Sequence, residues 1–395
     1  MKKGKSGFVS MALVYTFLII FLFLMLAILR TYIEKDKYLE AINNQIDDDI
    51  NKDKQNRSYA ISKLLEDNTP QSYELLKLVK PSNDDLGNGN GLFYINNNIL
   101  TDENNDGKSS SIYFFRGSVE NNHVIYANMC FRIVRTNEDG SIRMIYDGEV
   151  NGNKCKNIKN KGNVSIGTTS FSDSESLSLV DEKDGVIPSY DEVNTHSGII
   201  DLLNEWYIAK IIQPEYTGEV SKNTVFCNNK KYYKHTSTMT YYESKAIMPV
   251  YIDDRNRNKF DPDTLKNSFS LTCSEQLDRF TAIDRTLSYP VGVLSADEVL
   301  LAGGYLTDSD DEYDGGPSGK DNLTFYLYNQ EEYWTSSAFS QSTTDNSYVV
   351  SVDNQGVMNG KHVSETAGVI PVISLNGNVR FISGNGTANN PYRTE

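Results

Sequence analysis

The chain has 395 residues, of which 38% are hydrophobic, and it carries a formal net charge of −15. This length suits one large domain or two modest ones. A nucleic-acid-binding protein clusters Lys and Arg on one face, and no basic run follows the first five residues. The composition therefore excludes nucleic acid as a partner.

Residues 8–29 form an apolar run without a charged side chain, preceded by Lys2, Lys3 and Lys5. At roughly 1.5 Å per residue a helix of this length reaches about 33 Å, enough to cross a bilayer core of about 30 Å. The run is longer than the apolar region of a cleaved signal peptide, which has about 7–15 residues. With the positive-inside rule, the sequence predicts residues 1–30 to be a cytoplasmic tip and transmembrane anchor. The protein would then be a single-pass protein of the bacterial cell membrane, with its C-terminal domain extracellular.

A second interpretation of this segment stays open. The run Lys5-Ser6-Gly7-Phe8 resembles a type IV prepilin leader, which is cut after the glycine, so cleavage would fall between Gly7 and Phe8. The family's glutamate, five residues into the mature chain, falls on Ala12, which is a departure. The resemblance implies a minor pilin-like subunit that assembles with other pilin-like subunits. An amphipathic stripe at helical spacing would continue the stem: Leu39, Ile42, Ile46 and Ile50.

The composition divides the remaining chain into three parts. Residues 31–81 are charged with a helical pattern and predict a helical stalk, in which Thr69-Pro70 would begin a short helix that ends at Val79. Residues 82–91 have the composition of a linker. Residues 92–395 then form the extracellular domain.

Short runs of β-branched and aromatic residues dominate this domain. The predicted strands are 112–116, 123–126, 130–135, 141–146, 333–336, 348–352, 369–375 and 379–382. Residues 198–212 predict an amphipathic helix, and Ser295-Ala-Asp-Glu298 is a capping box that predicts the start of another. A few helices between sets of strands favour an α+β fold, here preceded by the long transmembrane and stalk helix.

The four cysteines, Cys130, Cys155, Cys227 and Cys273, form no CxxC motif. Four cysteines allow three pairings, and thiols outside the cytosol tend to oxidise. Proximity in sequence favours the pairs Cys130–Cys155 and Cys227–Cys273. Four buried free thiols are the alternative.

Several segments in this order resemble an uncharacterised group of ectodomains on surface proteins of low-GC Gram-positive bacteria (Firmicutes). The resemblance covers roughly residues 92–392 and implies the C-type-lectin-like fold shared with formylglycine-generating enzymes. It also implies extracellular, non-catalytic ligand binding or adhesion, with a glycan or a protein as ligand. The segments are Tyr113-Phe-Phe-Arg-Gly117, Cys130-Phe-Arg-Ile-Val-Arg135, Tyr289-Pro-Val-Gly292, Tyr333-Trp-Thr-Ser336, Gly368-Val-Ile-Pro-Val-Ile-Ser-Leu375 and Ser383-Gly-Asn-Gly-Thr387.

Two departures limit what this resemblance implies. Gln213-Pro214-Glu215 is similar to the calcium-lectin sugar loop but follows a helix, and Trp334 is followed by Thr335-Ser336 instead of Asn-Asp. A calcium-bridged sugar site of the lectin type is therefore not expected. After Cys273 the chain has no late cysteine pair, so formylglycine-generating activity is not expected either. Since no HExxH or GxSxG motif is present, a non-catalytic role is predicted, and an enzyme that processes surface polysaccharides or peptides is the less favoured alternative.

Two acidic segments are candidate calcium sites. Asp102, Asn104 and Asp106 match the first half of an EF-hand loop, although position 12 is Tyr113 instead of Glu. Asp308, Asp310, Asp311 and Asp314 crowd a second loop, where a calcium ion would relieve their mutual repulsion. Turns and solvated loops without an ion explain both segments equally simply.

The aromatic residues Tyr326, Tyr328, Tyr333 and Trp334 are candidates for ligand contact. Aromatic rings supply large contact areas in binding faces. Aromatic residues that alternate along a strand are, however, often half core. The sequence leaves both interpretations open.

Overall fold

The computed structural model describes residues 15–16, 20–22, 25, 30, 37, 59–72, 90–95, 111–157, 162–173, 176–179, 197–228, 233–234, 240–241, 271–273, 276–304, 326–341 and 347–394. The chain divides into two units, Met1–Asn56 and Arg57–Glu395. In the first unit the described residues are helical. The labelled strands and helices all belong to the second unit.

In chain order the strands are β1 (Gln71–Ser72), β2 (Gly91–Ile95), β3 (Ile112–Arg116), β4 (His123–Tyr126), β5 (Met129–Thr136), β6 (Ile142–Glu149), β7 (Thr168–Ser170), β8 (Phe226–Cys227), β9 (Tyr233–Lys234), β10 (Thr240–Tyr241), β11 (Arg279–Phe280), β12 (Tyr333–Gln341), β13 (Ser347–Val352), β14 (Met358–His362), β15 (Thr366–Gly368), β16 (Val372–Leu375) and β17 (Tyr392–Arg393). The α-helices are α1 (Tyr59–Asp67), α2 (Gly198–Tyr207) and α3 (Ala296–Leu301), and a π-helical turn, Ile208–Ile212, continues α2.

The first sheet is organised around β5. Strand β6 pairs with β5 along its whole length, whereas β4 and β3 share its other edge. The order continues through β3 to β2 and β1, through β4 to β17, and through β6 to β16. All eight residues of β5 are buried, so this strand lies at the centre of the core.

The second sheet runs in the order β14-β13-β12-β10-β9, with β15 pairing both β12 and β7. Strand β12 carries the large buried side chains Tyr333 and Trp334. The Trp334 indole N–H donates to the Thr169 carbonyl at 2.9 Å, and its ring packs edge-on against Phe171. These contacts tie the loop after β7 to the sheet.

Helix α3 joins the two sheets. At its start, Ser295 and Glu298 form the capping box that the sequence predicts, and the Ala296 N–H donates to the Ser337 hydroxyl of β12 at 2.9 Å. At its end, the Arg116 side chain of β3 donates to the Leu300 carbonyl at 2.7 Å. One short helix therefore contacts a strand of each sheet.

Glu298 is also the centre of a buried ionic cluster. Its Oε1 accepts from Arg135 Nε at 2.8 Å and lies 2.6 Å from Arg143 Nε, and all three side chains are 3% exposed or less. Burial alone would raise the pKa of Glu298, but Arg143 and Arg135 hold it below its usual value. The carboxylate therefore stays ionised and links β5, β6 and α3.

Both disulfides follow the predicted pairing. Cys130 bonds Cys155, with a Cα–Cα distance of 5.7 Å, and Cys227 bonds Cys273, with a Cα–Cα distance of 5.1 Å. The chain has no other cysteine. The interpretation as free thiols is therefore wrong, and the disulfide prediction is confirmed.

The predicted fold class requires correction. In the described residues the architecture is mostly β-sheet with a few short helices, instead of an α+β, C-type-lectin-like ectodomain behind a long helix. Helical periodicity overstated the helical content near Thr69-Pro70. There the helix α1 lies before that motif, and Gln71–Ser72 instead forms a parallel strand pair with β2. Residues 59–72 thus pack with the sheet, although their sequence is typical of a stalk.

The predicted location at the membrane is also corrected. No helix within the described residues is both long and apolar enough to cross a membrane. The longest described α-helix, α2, has ten residues, whereas a bilayer requires about 20. Most of the apolar run 8–29, and the residues Gly7 and Phe8 at the predicted cleavage position, lie outside the described residues.

The ionic cluster yields a stability prediction. Replacing Glu298 with Gln removes the charged carboxylate that two buried arginines share, which we expect to lower the free energy of unfolding by roughly 3–5 kcal/mol. Chemical denaturation of the full chain measures the change. The matched control is Glu66→Gln, in an exposed pair with Lys63, where little change is expected. Equal stabilities of the two variants would contradict the prediction.

Candidate functional site

A cluster of aromatic side chains, of which Tyr216 is partly exposed, forms a surface where α2 and its π-helical turn meet the β4–β5 hairpin. We call it the Tyr216 surface. It comprises Tyr126, Asn128, Tyr146, Glu149, Trp206, Lys210, Glu215 and Tyr216. Most of these residues belong to segments that are far apart in sequence.

The helical side of this surface departs from regular geometry. Helix α2 buries Ile199, Ile200 and Leu203, and the chain then widens into the π-helical turn Ile208–Ile212. Such turns are rare and occur frequently at functional sites. Glu215 follows with a φ of +67°, a left-handed conformation that is uncommon for a residue with a side chain.

The hairpin side also contains left-handed residues. Tyr126 pairs with Met129, so the connection has two residues, Ala127 (φ 49°) and Asn128 (φ 57°). Positive φ at both positions is typical of a type I′ turn, for which Asn-Gly is the favoured sequence. Ala-Asn adopts this geometry at a conformational cost. The turn therefore keeps a polar side chain at position 128 where glycine would be less strained.

Three contacts fix Tyr216 to the hairpin. The Asn128 amide donates to the Tyr216 hydroxyl at 3.2 Å. The Tyr126 hydroxyl donates to the Tyr216 carbonyl, and the two rings meet edge to face with centroids 6.0 Å apart. The Tyr216 ring is therefore held in one orientation while part of it stays exposed.

A chain of aromatic rings supports Tyr216 from below. Tyr126 contacts Phe131, and Phe131 contacts both Tyr146 and Trp206. Trp206 closes the cluster against Tyr146 with centroids 5.7 Å apart. Edge-to-face pairs of this kind add stability beyond the area they bury, so the surface has a rigid base.

Charged side chains border the aromatic part. Lys210 Nζ lies 2.9 Å from Glu149 Oε1, and these side chains are 43% and 60% exposed. Glu149 is opposite Met129 in the β5–β6 ladder, one residue from Asn128. Burial, and then the charge of Glu149, raises the pKa of Tyr146. Its hydroxyl is therefore protonated at neutral pH, 3.4 Å from the Glu149 carboxylate.

A second polar cluster is fully buried and lies around His123. Its Nδ1 is 3.2 Å from the Gly386 carbonyl and 3.3 Å from that of Glu120, while Nε2 is 3.2 Å from the Lys156 carbonyl. Asp147 lies 3.8 Å from Nε2. The imidazole thus lies among three separate loops and has no solvent exposure, and in its uncharged form only one of its two nitrogens carries a proton to donate.

Burial and the nearby charge of Arg132 lower the pKa of His123 to about 4, against the opposing effect of Asp147. At neutral pH the imidazole is therefore uncharged. Because no solvent reaches it, this cluster stabilises the loops and does not offer a binding face.

The predicted aromatic contact residues lie largely in the core. Tyr326, Tyr333 and Trp334 are each at most 1% exposed, and Tyr328 is partly exposed. The Tyr326 hydroxyl donates to the Phe115 carbonyl at 3.3 Å, and the Tyr333 hydroxyl donates to the Leu327 carbonyl at 3.0 Å. This placement favours the interpretation of the alternating aromatics as core.

The predicted calcium ligands are not among the described residues. Asp102, Asn104 and Asp106 lie outside them, as do Asp308, Asp310, Asp311 and Asp314. Within the part of the chain that is described, no group of three or more His, Cys, Asp or Glu side chains is arranged to hold a metal ion.

Sequence reasoning did not identify the Tyr216 surface, since it assigned residues 198–212 only to an amphipathic helix. A local signal was present in the two residues Ala127-Asn128 between two strand-like runs. No pattern along the chain, however, links that turn to Tyr216. Comparisons with protein-family models, curated proteins and solved structures found no match to this chain.

The His123 cluster predicts sensitivity to acid. Unfolded His123 takes up a proton near pH 6.5, whereas the folded state resists protonation until about pH 4. As the pH decreases from 6.5 to about 4, the unfolded state binds this proton and the folded state does not. The free energy of unfolding should therefore decrease over this range by about 3 kcal/mol. Denaturant titrations at several pH values measure this fall.

The substitution His123→Gln should weaken the pH dependence of the free energy of unfolding, because glutamine does not titrate. The control is His362→Gln, which replaces a partly exposed histidine of β14. Identical pH slopes for the His123→Gln variant and the wild type would contradict the prediction.

Proposed function

We propose that this protein is a non-catalytic ligand-recognition protein that works in an oxidising environment and binds a glycan or a protein through the Tyr216 surface. The observation that carries the proposal is the fixation of a partly exposed Tyr216 by the β4–β5 hairpin. A side chain that is already ordered before binding loses little conformational entropy when a ligand arrives.

The disulfides support both the setting and the rigidity. Disulfides persist outside the reducing cytosol. Cys130 lies on β5 two residues after Asn128, and its bond to Cys155 fixes the base of the hairpin. Ile125 and Val150 pack against this disulfide. The disulfide therefore stiffens the β4–β5 hairpin, which carries Tyr126 and Asn128 of the Tyr216 surface.

The buried polar groups support recognition without chemistry. His123 and Glu298 are occupied in holding separate segments together, and both are 1% exposed or less. The residues of the Tyr216 surface differ from them, since Asn128 and Glu149 are exposed. The resemblance to Gram-positive surface ectodomains stays a prediction that agrees with this role.

Arrays of glycans and of extracellular proteins, probed with the oxidised full chain, test the proposal. We expect at least one ligand whose binding falls about tenfold or more in Tyr216→Ala, because the ring is the fixed centre of the surface. The matched control is Tyr59→Ala, in a tyrosine that is 57% exposed elsewhere in the same unit. Repeating the binding assay with a chelator tests whether ligand binding requires calcium.

The absence of any bound ligand, or equal binding by Tyr216→Ala and Tyr59→Ala, would overturn the proposal. Circular dichroism of each variant checks that the β-rich fold is retained.

A further inference from the structure

We infer that the ligand of the Tyr216 surface is a neutral, hydroxyl-rich saccharide, bound by the Tyr216 ring together with the Asn128 amide and the Glu149–Lys210 pair. This inference rests on the proposed function and names the chemical class of the ligand. It depends on four features of the surface.

The first feature is the ring itself. Tyr216 is partly exposed, and its neighbour Tyr126 meets it edge to face instead of by stacking. The apolar C–H face of a sugar ring packs on an aromatic ring in the way that other apolar groups do. Because three contacts already fix the ring, such packing requires no reorganisation of the protein.

The second feature is the mixture of donors and acceptors beside the ring. The Asn128 amide contains a carbonyl and an NH₂ group, the Glu149 carboxylate accepts, and the Lys210 ammonium donates. A saccharide hydroxyl both donates and accepts, so adjacent hydroxyls match an adjacent acceptor and donor. Glu149 and Lys210 lie 2.9 Å apart and are 60% and 43% exposed, which leaves them accessible to a ligand.

The third feature is the charge and the lack of exposed aliphatic groups. The surface carries Glu149 and Glu215 against Lys210, in a chain of net charge −15, which disfavours uronic or sulfated sugars. Among the described residues, the large apolar side chains that are exposed include Tyr59, Ile283 and Ile382, and none belongs to the Tyr216 surface. The surface therefore offers one aromatic ring bordered by polar and charged groups, and no large exposed aliphatic side chain is among its residues.

The fourth feature is the retention of Asn128 in a strained turn. Glycine at position 128 would adopt the φ of +57° without strain, yet the chain places an amide there. This amide contacts Tyr216 and is exposed to solvent. An exposed amide that contacts the central ring from a left-handed turn position is a candidate for a functional role.

The experiment compares two glycine variants of the same turn. Asn128→Gly and Ala127→Gly both relieve left-handed strain, and both should unfold at the same or a higher denaturant concentration than the wild type. Only Asn128→Gly removes the amide. Saturation-transfer NMR and calorimetry on the full chain then measure binding of neutral hexose and N-acetylhexosamine oligosaccharides, with uronic-acid oligosaccharides of equal length as the charged comparison.

We expect the wild type and Ala127→Gly to bind a neutral oligosaccharide, and Asn128→Gly to bind it about tenfold more weakly, equivalent to the loss of one well-placed hydrogen-bonding group. Glu149→Gln should also weaken binding, because glutamine exchanges one acceptor for a donor.

Equal affinity of the two glycine variants, or binding of the acidic oligosaccharide alone, would overturn the inference. Binding of a peptide or protein that depends on Tyr216, without binding of any neutral saccharide, would also overturn it while leaving the proposed function intact. If no ligand of any class depends on Tyr216, both the inference and the proposed function fail.

Discussion

The fold depends on the partners of three buried arginines in the hairpin formed by β5 and β6. Strands β5 and β6 carry Arg132, Arg135 and Arg143, each 3% exposed or less. Isolated buried cations are strongly unfavourable, so each needs partners. Arg135 and Arg143 share Glu298, and Arg143 also lies 4.4 Å from the centre of the Phe226 ring. Arg132 donates to the Asn122 amide at 2.5 Å. These partners come from distant segments of the chain. Pairing the buried arginines therefore fixes the arrangement of those segments around the β5–β6 hairpin.

Strand β5 also positions the candidate site. The turn Ala127–Asn128 extends from one end of β5, and Cys130 anchors that end to Cys155. At the other end, Arg135 is tied to α3 through Glu298. Strand β5 is thus held at both ends, and the turn that contacts Tyr216 has little freedom to move. A binding surface built on such a strand gains rigidity from the core, although its own residues lie at the periphery.

Local chemistry made part of this fold predictable. The capping box at Ser295 depends on four consecutive residues, and it forms as expected. The hairpin around Asn137–Gly140 follows from its turn residues, and proximity along the chain suggested both disulfides. Features that depend on distant partners were not predictable. Residues 379–382 contain a strand-like run but form no regular strand. The strand at Gln71–Ser72 depends on its pairing with Phe93 and Tyr94 of β2, across an intervening segment of the chain.

The candidate site belongs to this second group for a physical reason. Propensity rules describe the regular conformations of a residue. The Tyr216 surface instead lies beside irregular backbone: left-handed residues at Ala127, Asn128 and Glu215, and a π-helical turn after α2. Each departure is small enough for the surrounding core to support. Taken singly, the π-helical turn is an irregular helix end and Ala127–Asn128 is an ordinary hairpin turn. Both lie beside one partly exposed tyrosine, which Asn128 contacts through a hydrogen bond, and this convergence is the reason that we propose the Tyr216 surface as a binding site.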